Sequence, residues 1–210
     1  MRTFGLLLVA TTLLYAQPYV STRIIQAIEA KYDAFAKNRF ILLNSTLEAL
    51  RHKSDREKLK GVNDFYNHTP YLSDIKNYAQ TDYWATPLEF LGRDRGDCED
   101  YVIAKYFALK YLGVNTKKLY FTYVKSRKFR QAHMVLTYFA TPSSIPLVLD
   151  NYNLKIFPAN KRRDLIPIYN FNGDTLFLAQ KQGKHGKSIT HTKTHHQWDV
   201  LIQNIKRNKL

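Results

Sequence analysis

Apolar positions recur at near-helical spacing through the first half of the chain and alternate through much of the second. Ser21 to Leu50 reads as helical, with Ile24, Ile25, Ile28, Tyr32, Phe35 and Ala36 in phase. Ile41, Leu42, Leu47 and Leu50 continue it past a bend near Asn38. Arg51 to Lys60 is so highly charged that it reads as a solvated face, after which Val62, Phe65 and Tyr66 restart an apolar one. Asn67 to Pro70 breaks that face. Tyr71 to Leu91 mixes aromatics with turn residues, and its Trp84 suits either a core or a cleft. Tyr101 to Leu112 is helical again, and Gly113 supplies the stop. Beyond Gly113 the period falls to two. Leu119–Val124 and His133–Phe139 read as strands joined by the basic segment Lys125–Gln131. A turn at Thr141–Pro146 leads to a third strand, Leu147–Leu149, ending at Asp150. Leu154–Pro158 and Asp164–Ile168 read as short extended pieces. Tyr169–Leu178 reads as a hairpin around Asn172-Gly173-Asp174. Gln180 to His196 is poor in apolar residues and reads as a flexible loop before a short helix, Trp198–Ile205. Helices followed by an antiparallel sheet make the expected fold class α+β.

Met1 to Tyr19 reads as an export signal, with Arg2 as a basic start and the apolar run Phe4–Ala16 behind it. That run is shorter than the roughly 20 residues of a comfortable membrane span. The expectation is therefore an exported, periplasmic protein without stable membrane insertion once the signal is cleaved. The remainder, 20–210, reads as one domain with a basic, His- and Lys-rich segment at about 180–197. Its His191, His195 and His196 lack cysteine or carboxylate partners at metal-ligand spacing and read as surface residues. The chain carries a net charge of +15, which favours acidic partners. Nucleic acid is not expected among them, because the chain is exported and has no zinc-finger spacing or RNP-type motif.

Export changes the meaning of the single cysteine. Cys98 has no internal partner for a disulfide, so a free reactive thiol or an intermolecular bridge is expected. It precedes the Tyr101–Leu112 helix, and a helix N-terminus lowers a thiol pKa. Asp97, Glu99 and Asp100 crowd the same turn, where negative charge suits the helix dipole. Cysteine catalysis needs a thiolate, a base and a group that orients the base. His133 opens a strand and Asp150 closes the next. If those strands are adjacent and antiparallel, the two residues are neighbours, and the Cys98 helix need only pack across that edge of the sheet.

Three stretches carry a family resemblance: Gly96-Asp97-Cys98-Glu99-Asp100-Tyr101, Gln131-Ala132-His133-Met134-Val135-Leu136 and Leu147-Val148-Leu149-Asp150-Asn151. They resemble the motifs of the bacterial transglutaminase-like cysteine proteinases, and the likeness extends over roughly Ile24 to Leu178. It implies a papain/transglutaminase-like fold, with Cys98 as nucleophile, His133 as general base and acid, and Asp150 as the orienting carboxylate. It also implies Ca2+ held by Asp97 and Glu99, whose hard oxygens suit that ion. The implied activity is a periplasmic endopeptidase that cuts a large repeat-containing surface adhesin near its N-terminus and so controls biofilm attachment. An inner-membrane cyclic di-GMP receptor that sequesters the protease is the implied controller. Two alternatives remain open at this level: transglutaminase-type acyl transfer on the same three residues, and a non-catalytic basic module that binds envelope polymers.

Overall fold

The computed structural model describes residues 17–172, 175–179, 185–189 and 193–210. The apolar start of the chain therefore lies outside the described residues as far as residue 16. Side chains between 173 and 195 lie outside them too. Among the described residues, no helix is long and apolar enough to cross a membrane.

Among the described residues, six α-helices precede the sheet. Helix α1 (Thr22–Lys31) is capped by Ser21, and α2 (Ala34–Leu50) by Asp33, whose side chain accepts from the Ala36 N–H at 2.6 Å. The break in the first helical region thus falls at Tyr32–Asp33, not near Asn38. Asp33 satisfies one of the donors that a new helix start leaves open. The charged run covers the turn after α2 and the first half of α3 (Asp55–Tyr66), which is set by a Ser54–Glu57 capping box, and Leu59, Val62 and Tyr66 are buried behind it. Two short helices, α4 (Asp74–Tyr78) and α5 (Pro87–Arg93), occupy the stretch read only as aromatics and turns. α5 is built from a Thr86–Glu89 capping box with Pro87 at the first helical position.

Helix α6 (Cys98–Tyr111) is the centre of the molecule. Tyr101, Val102, Ile103, Ala104, Lys105, Tyr106, Ala108 and Leu109 are all buried, so the helix is covered on nearly every side. Helices α3 and α5 lie against it on one flank and the sheet on the other. It ends at Gly113, whose φ of +79° is the left-handed conformation that lets the chain turn towards the sheet.

The sheet is antiparallel throughout. Its strands are β1 (Leu119–Ser126), β2 (Ala132–Tyr138), β3 (Leu147–Leu149), β4 (Phe157–Pro158), β5 (Leu165–Asn172), β6 (Thr175–Ala179) and β7 (His185–Ile189), in the order β4-β3-β2-β1-β5-β6-β7. The expected hairpin is the β5–β6 pair, closed by Asn172 opposite Thr175, with its turn at 173–174 outside the described residues. The segment read as a flexible loop differs from expectation. Strand β7 pairs with β6, and helix α7 (Lys193–Lys206) starts five residues before Trp198. Backbone ladder bonds need no apolar alternation, so a polar edge strand gives little periodicity to read. Trp84 is a core residue: it is buried and stacks on Phe171 at 6.0 Å, within a cluster that includes Phe121, Tyr106 and Trp198.

Candidate active site

The site is assembled where the N-terminus of α6 meets β2 and β3. A short parallel bridge between Tyr71 and Gly96 brings the segment before α4 alongside the approach to Cys98, and Leu72 N–H donates to the Gly96 carbonyl at 2.8 Å. Gly96 is needed there for space. A Cβ would stand 2.4 Å from Asp100 Oδ2 and 2.6 Å from the Phe90 ring. Asp100 is wholly buried; its two oxygens accept the backbone N–H groups of Ala85 (3.0 Å) and Asp97 (3.2 Å) and so fix the turn that presents Cys98.

Cys98 occupies the first position of α6 and is partly exposed. Its thiol donates to Glu99 Oε2 at 3.0 Å and lies against β2, where the backbone N–H of Met134 reaches the sulfur. Crowding by protein pushes the thiol well above its ordinary pKa. The carboxylates of Glu99 and Asp97 push it further, against the lowering effect of Met134 N–H. Without a counter-charge, this cysteine is held as a thiol.

His133 is the second residue of β2, one before Met134, and is buried. Strands β2 and β3 are neighbours, with Leu136 opposite Leu149 and Thr137 opposite Val148. Asp150 therefore leaves β3 beside His133, as the strand argument from sequence expected. His133 Nε2 is 2.7 Å from Asp150 Oδ1. The other ring nitrogen, Nδ1, is buried and has no hydrogen-bond partner among the described residues.

Asp150 is held from every side. Oδ1 also accepts the backbone N–H of Tyr152 (2.9 Å), and Oδ2 accepts Arg162 Nη2 (2.6 Å). Its carbonyl accepts Asn67 Nδ2 (2.9 Å) and Lys105 Nζ (3.4 Å). Burial alone would raise this carboxyl. The His133 hydrogen bond and the charges of His133 and Arg162 outweigh it and hold Asp150 down, at about 2.

Acidic side chains gather around the Cys98 turn. Ligand atoms of Asp97, Cys98 and Glu99 lie within 4.8 Å of one another, and so do those of Asp74, Asp97 and Asp100. Burial and mutual repulsion raise all four carboxyls, Asp74 to about 7 and Asp97 to about 8. One oxygen each of Asp74 and Asp97 is buried and, among the described residues, accepts no standard hydrogen bond. Converging, mutually raised carboxylates with spare buried oxygens fit a hard divalent cation. The acidic pair read from the sequence, Asp97 and Glu99, is at this cluster. Asp74 was not foreseen, because it lies 23 residues from Asp97 and is brought in by the Tyr71–Gly96 bridge. Lys105 alone carried a signal among the other unforeseen residues, as a charge inside an otherwise apolar helix.

A thiol at the start of a central helix, packed on an antiparallel sheet whose adjacent strands bring a histidine and an aspartate together, is the architecture of papain- and transglutaminase-like cysteine hydrolases. The chain belongs to the bacterial transglutaminase-like cysteine proteinase (BTLCP) family, whose profile matches residues 43–164. Among solved structures it is similar to Legionella pneumophila LapG in its calcium-bound form, with 37% identity and a TM-score of 0.75 over 89% of this chain and 99% of that one. The EGTA-treated form of that protein gives 37% and 0.75 over 90% and 99%. No curated protein matches the chain.

Proposed function

We propose that the chain is a calcium-dependent cysteine endopeptidase acting through Cys98, His133 and Asp150. The observation that carries this reading is His133, buried with Nε2 on Asp150 and its unpartnered Nδ1 on the strand that receives the Cys98 thiol. In this reading His133 Nδ1 takes the thiol proton, and the thiolate attacks the scissile carbonyl to form an acyl-enzyme. The developing oxyanion is met by the backbone N–H of Cys98, one of those that a helix start leaves outside the intrahelical ladder. The imidazolium, held by Asp150, then protonates the leaving amine, and water activated by His133 resolves the acyl-enzyme.

Asp97 and Glu99, joined by Asp74 and Asp100, would hold the Ca2+. When bound, the ion supplies positive charge against carboxylates that otherwise keep Cys98 protonated. The calcium-bound and EGTA-treated forms of L. pneumophila LapG support this ion over others. By the same family likeness, the substrate is a large surface adhesin, the compartment the periplasm, and the controller a cyclic di-GMP receptor of the inner membrane.

The test is incubation of the purified protein with the N-terminal part of a co-encoded adhesin, in calcium and in EGTA. Calcium-dependent cleavage by wild type and none by Cys98→Ala is expected. Incorporation of an added amine without hydrolysis would replace peptidase by acyl transfer. Salt-sensitive binding with no cleavage would leave a binding module.

A further inference from the structure

The ring of Tyr152 lies flat on the imidazole of His133, with centroids 3.9 Å apart and planes within 2° of parallel. The placement follows from the turn after β3, where the chain bends at 151–153 and brings Tyr152 back over His133. The residue that stacks on the imidazole also donates its backbone N–H to Asp150 Oδ1. Tyr152 is therefore joined to both members of the His133–Asp150 pair.

Tyr152 is itself braced. Its hydroxyl accepts Gln131 Nε2 at 2.8 Å, and Phe129 meets its ring edge-on at 4.6 Å. Tyr71, the residue that bridges to Gly96, faces it edge-on with ring centroids 6.2 Å apart. Gln131 and Phe129 come from the β1–β2 connection and Tyr71 from the segment beside the Cys98 turn, so the ring is wedged between the approaches to His133 and to Cys98. Tyr152 is outside the hydrophobic core, and its neighbours Phe129 and Tyr71 are half exposed. Core packing does not account for a ring in this position.

We propose that Tyr152 is a positioning residue: its ring fixes the plane of the His133 imidazole. The torsion that turns an imidazole about its Cβ–Cγ bond has broad wells. The Asp150 hydrogen bond tethers Nε2 but leaves the ring free to rock about that tether. A flat aromatic wall removes the rocking and keeps Nδ1 aimed along one line, where small misplacements of a base carry large kinetic costs. The proposal rests on the peptidase reading for its kinetic consequence, whereas the stacking is a property of the folded protein by itself.

The experiment compares wild type with Tyr152→Phe and Tyr152→Leu, all calcium-loaded, by three readouts. The first is the His133 ring resonances by NMR, assigned through a His133→Ala spectrum. They are shifted upfield by the Tyr152 ring current in wild type and Tyr152→Phe, and move downfield in Tyr152→Leu. The second is the rate of Cys98 alkylation by iodoacetamide, which reports base-assisted thiolate formation without any substrate. The third is kcat and KM on the cleaved adhesin fragment. Tyr152→Leu is expected to lose between about tenfold and about a hundredfold in alkylation rate and kcat, with KM unchanged, and Tyr152→Phe to stay near wild type. An unmoved His133 resonance in Tyr152→Leu overturns the proposal. So does wild-type alkylation in that variant, or an equal loss in Tyr152→Phe, which would place the effect in the hydroxyl. If wild type cleaves nothing while the resonance and alkylation effects hold, the peptidase reading fails and the positioning role stands.

Discussion

Arg162 Nη2 stands 2.6 Å from Asp150 Oδ2, on the opposite carboxylate oxygen from the one that meets His133. Both side chains of this ion pair are buried, and Arg162 is fixed in turn by Asp164 at 3.0 and 2.8 Å. Asp150 thus answers to two cations, one permanent and one that exists only while His133 is protonated. The permanent one helps to hold Asp150 down in either state of the histidine.

Arg162→Gln should therefore act on stability and activity together. Removing one partner of a buried pair leaves an uncompensated charge, typically at a cost of about 3–5 kcal/mol. Urea unfolding at neutral pH should show a loss of that order. Asp150 is held below its ordinary value, so its contribution to stability is present above about pH 4 and lost as pH falls towards 2. In Arg162→Gln the folded value rises towards the ordinary one, so that acid loss should be smaller and be complete at a higher pH. A variant as stable as wild type at both pH 7 and pH 3 would show that the Asp150 charge is balanced elsewhere.

The three catalytic candidates should separate by magnitude. Cys98→Ala and His133→Ala should abolish cleavage, because acyl-enzyme formation needs both thiolate and base. Asp150→Asn keeps the shape but loses the orienting charge, and a loss of about 10⁴-fold in kcat is expected by analogy with the serine-protease triad. Because Asp150 also pairs with Arg162, activities should be measured on protein shown to be folded by circular dichroism. Wild-type turnover by folded Cys98→Ala would move the chemistry to another residue.

What could be read from the sequence divides along a physical line. Cys98, His133 and Asp150 each stand at or beside an element boundary, so period, stop signals and strand adjacency were enough to start α6 at Cys98 and to set His133 beside Asp150. The turn chemistry for α5 was also present in Thr86-Pro87-Leu88-Glu89, although aromatic residues masked it. Asp74, Tyr152 and Arg162 could not be read. Each sits in a loop or short turn, and its role depends on which distant segment the fold lays beside it. Arg162 looks like Lys161 and Arg163 until Asp150 is placed next to it. The extra strand β7 was missed because its pairing is carried by backbone.

Lys105 gives a prediction with the opposite pH sense from Asp150. It sits two turns beyond Cys98 on α6, fully buried, and donates to Asn63 Oδ1 (2.9 Å), Asn67 Oδ1 (2.7 Å) and the Asp150 carbonyl. Burial, only partly offset by the charges of Asp150 and Asp64, pulls it down to about 7. Between about pH 7 and the ordinary lysine range near 10.4, the unfolded chain binds a proton that the folded one does not. Stability from this group therefore rises with pH across that window. Unfolding free energies of wild type minus those of Lys105→Met should climb from pH 7 to pH 9.5. The subtraction removes the tyrosines common to both. A flat difference would mean that Lys105 stays charged in the fold.

The acidic cluster makes the last prediction, on calcium and pH together. Asp74 and Asp97 are raised to about 7 and about 8, and Glu99 and Asp100 are raised as well. For a raised carboxyl the folded state keeps protons that the unfolded state has released. The stability involved is fully present below about pH 4 and is lost as pH climbs through the folded values. Chelated protein should accordingly weaken between about pH 4 and about pH 8. A bound cation replaces those protons, so saturating calcium should flatten the decline and raise the melting temperature most at the alkaline end. Magnesium, which demands a tighter octahedral shell and dehydrates reluctantly, should do so less well. Asp97→Asn should lose most of the calcium effect and also flatten the decline in EGTA, since one of the repelling charges is gone. Thermal melts at pH 5, 6.5 and 8, in EGTA and in calcium, measure all of this without a substrate. Parallel melting curves at all three pH values, indifferent to calcium, would mean that these carboxyls cap α6 and hold no ion.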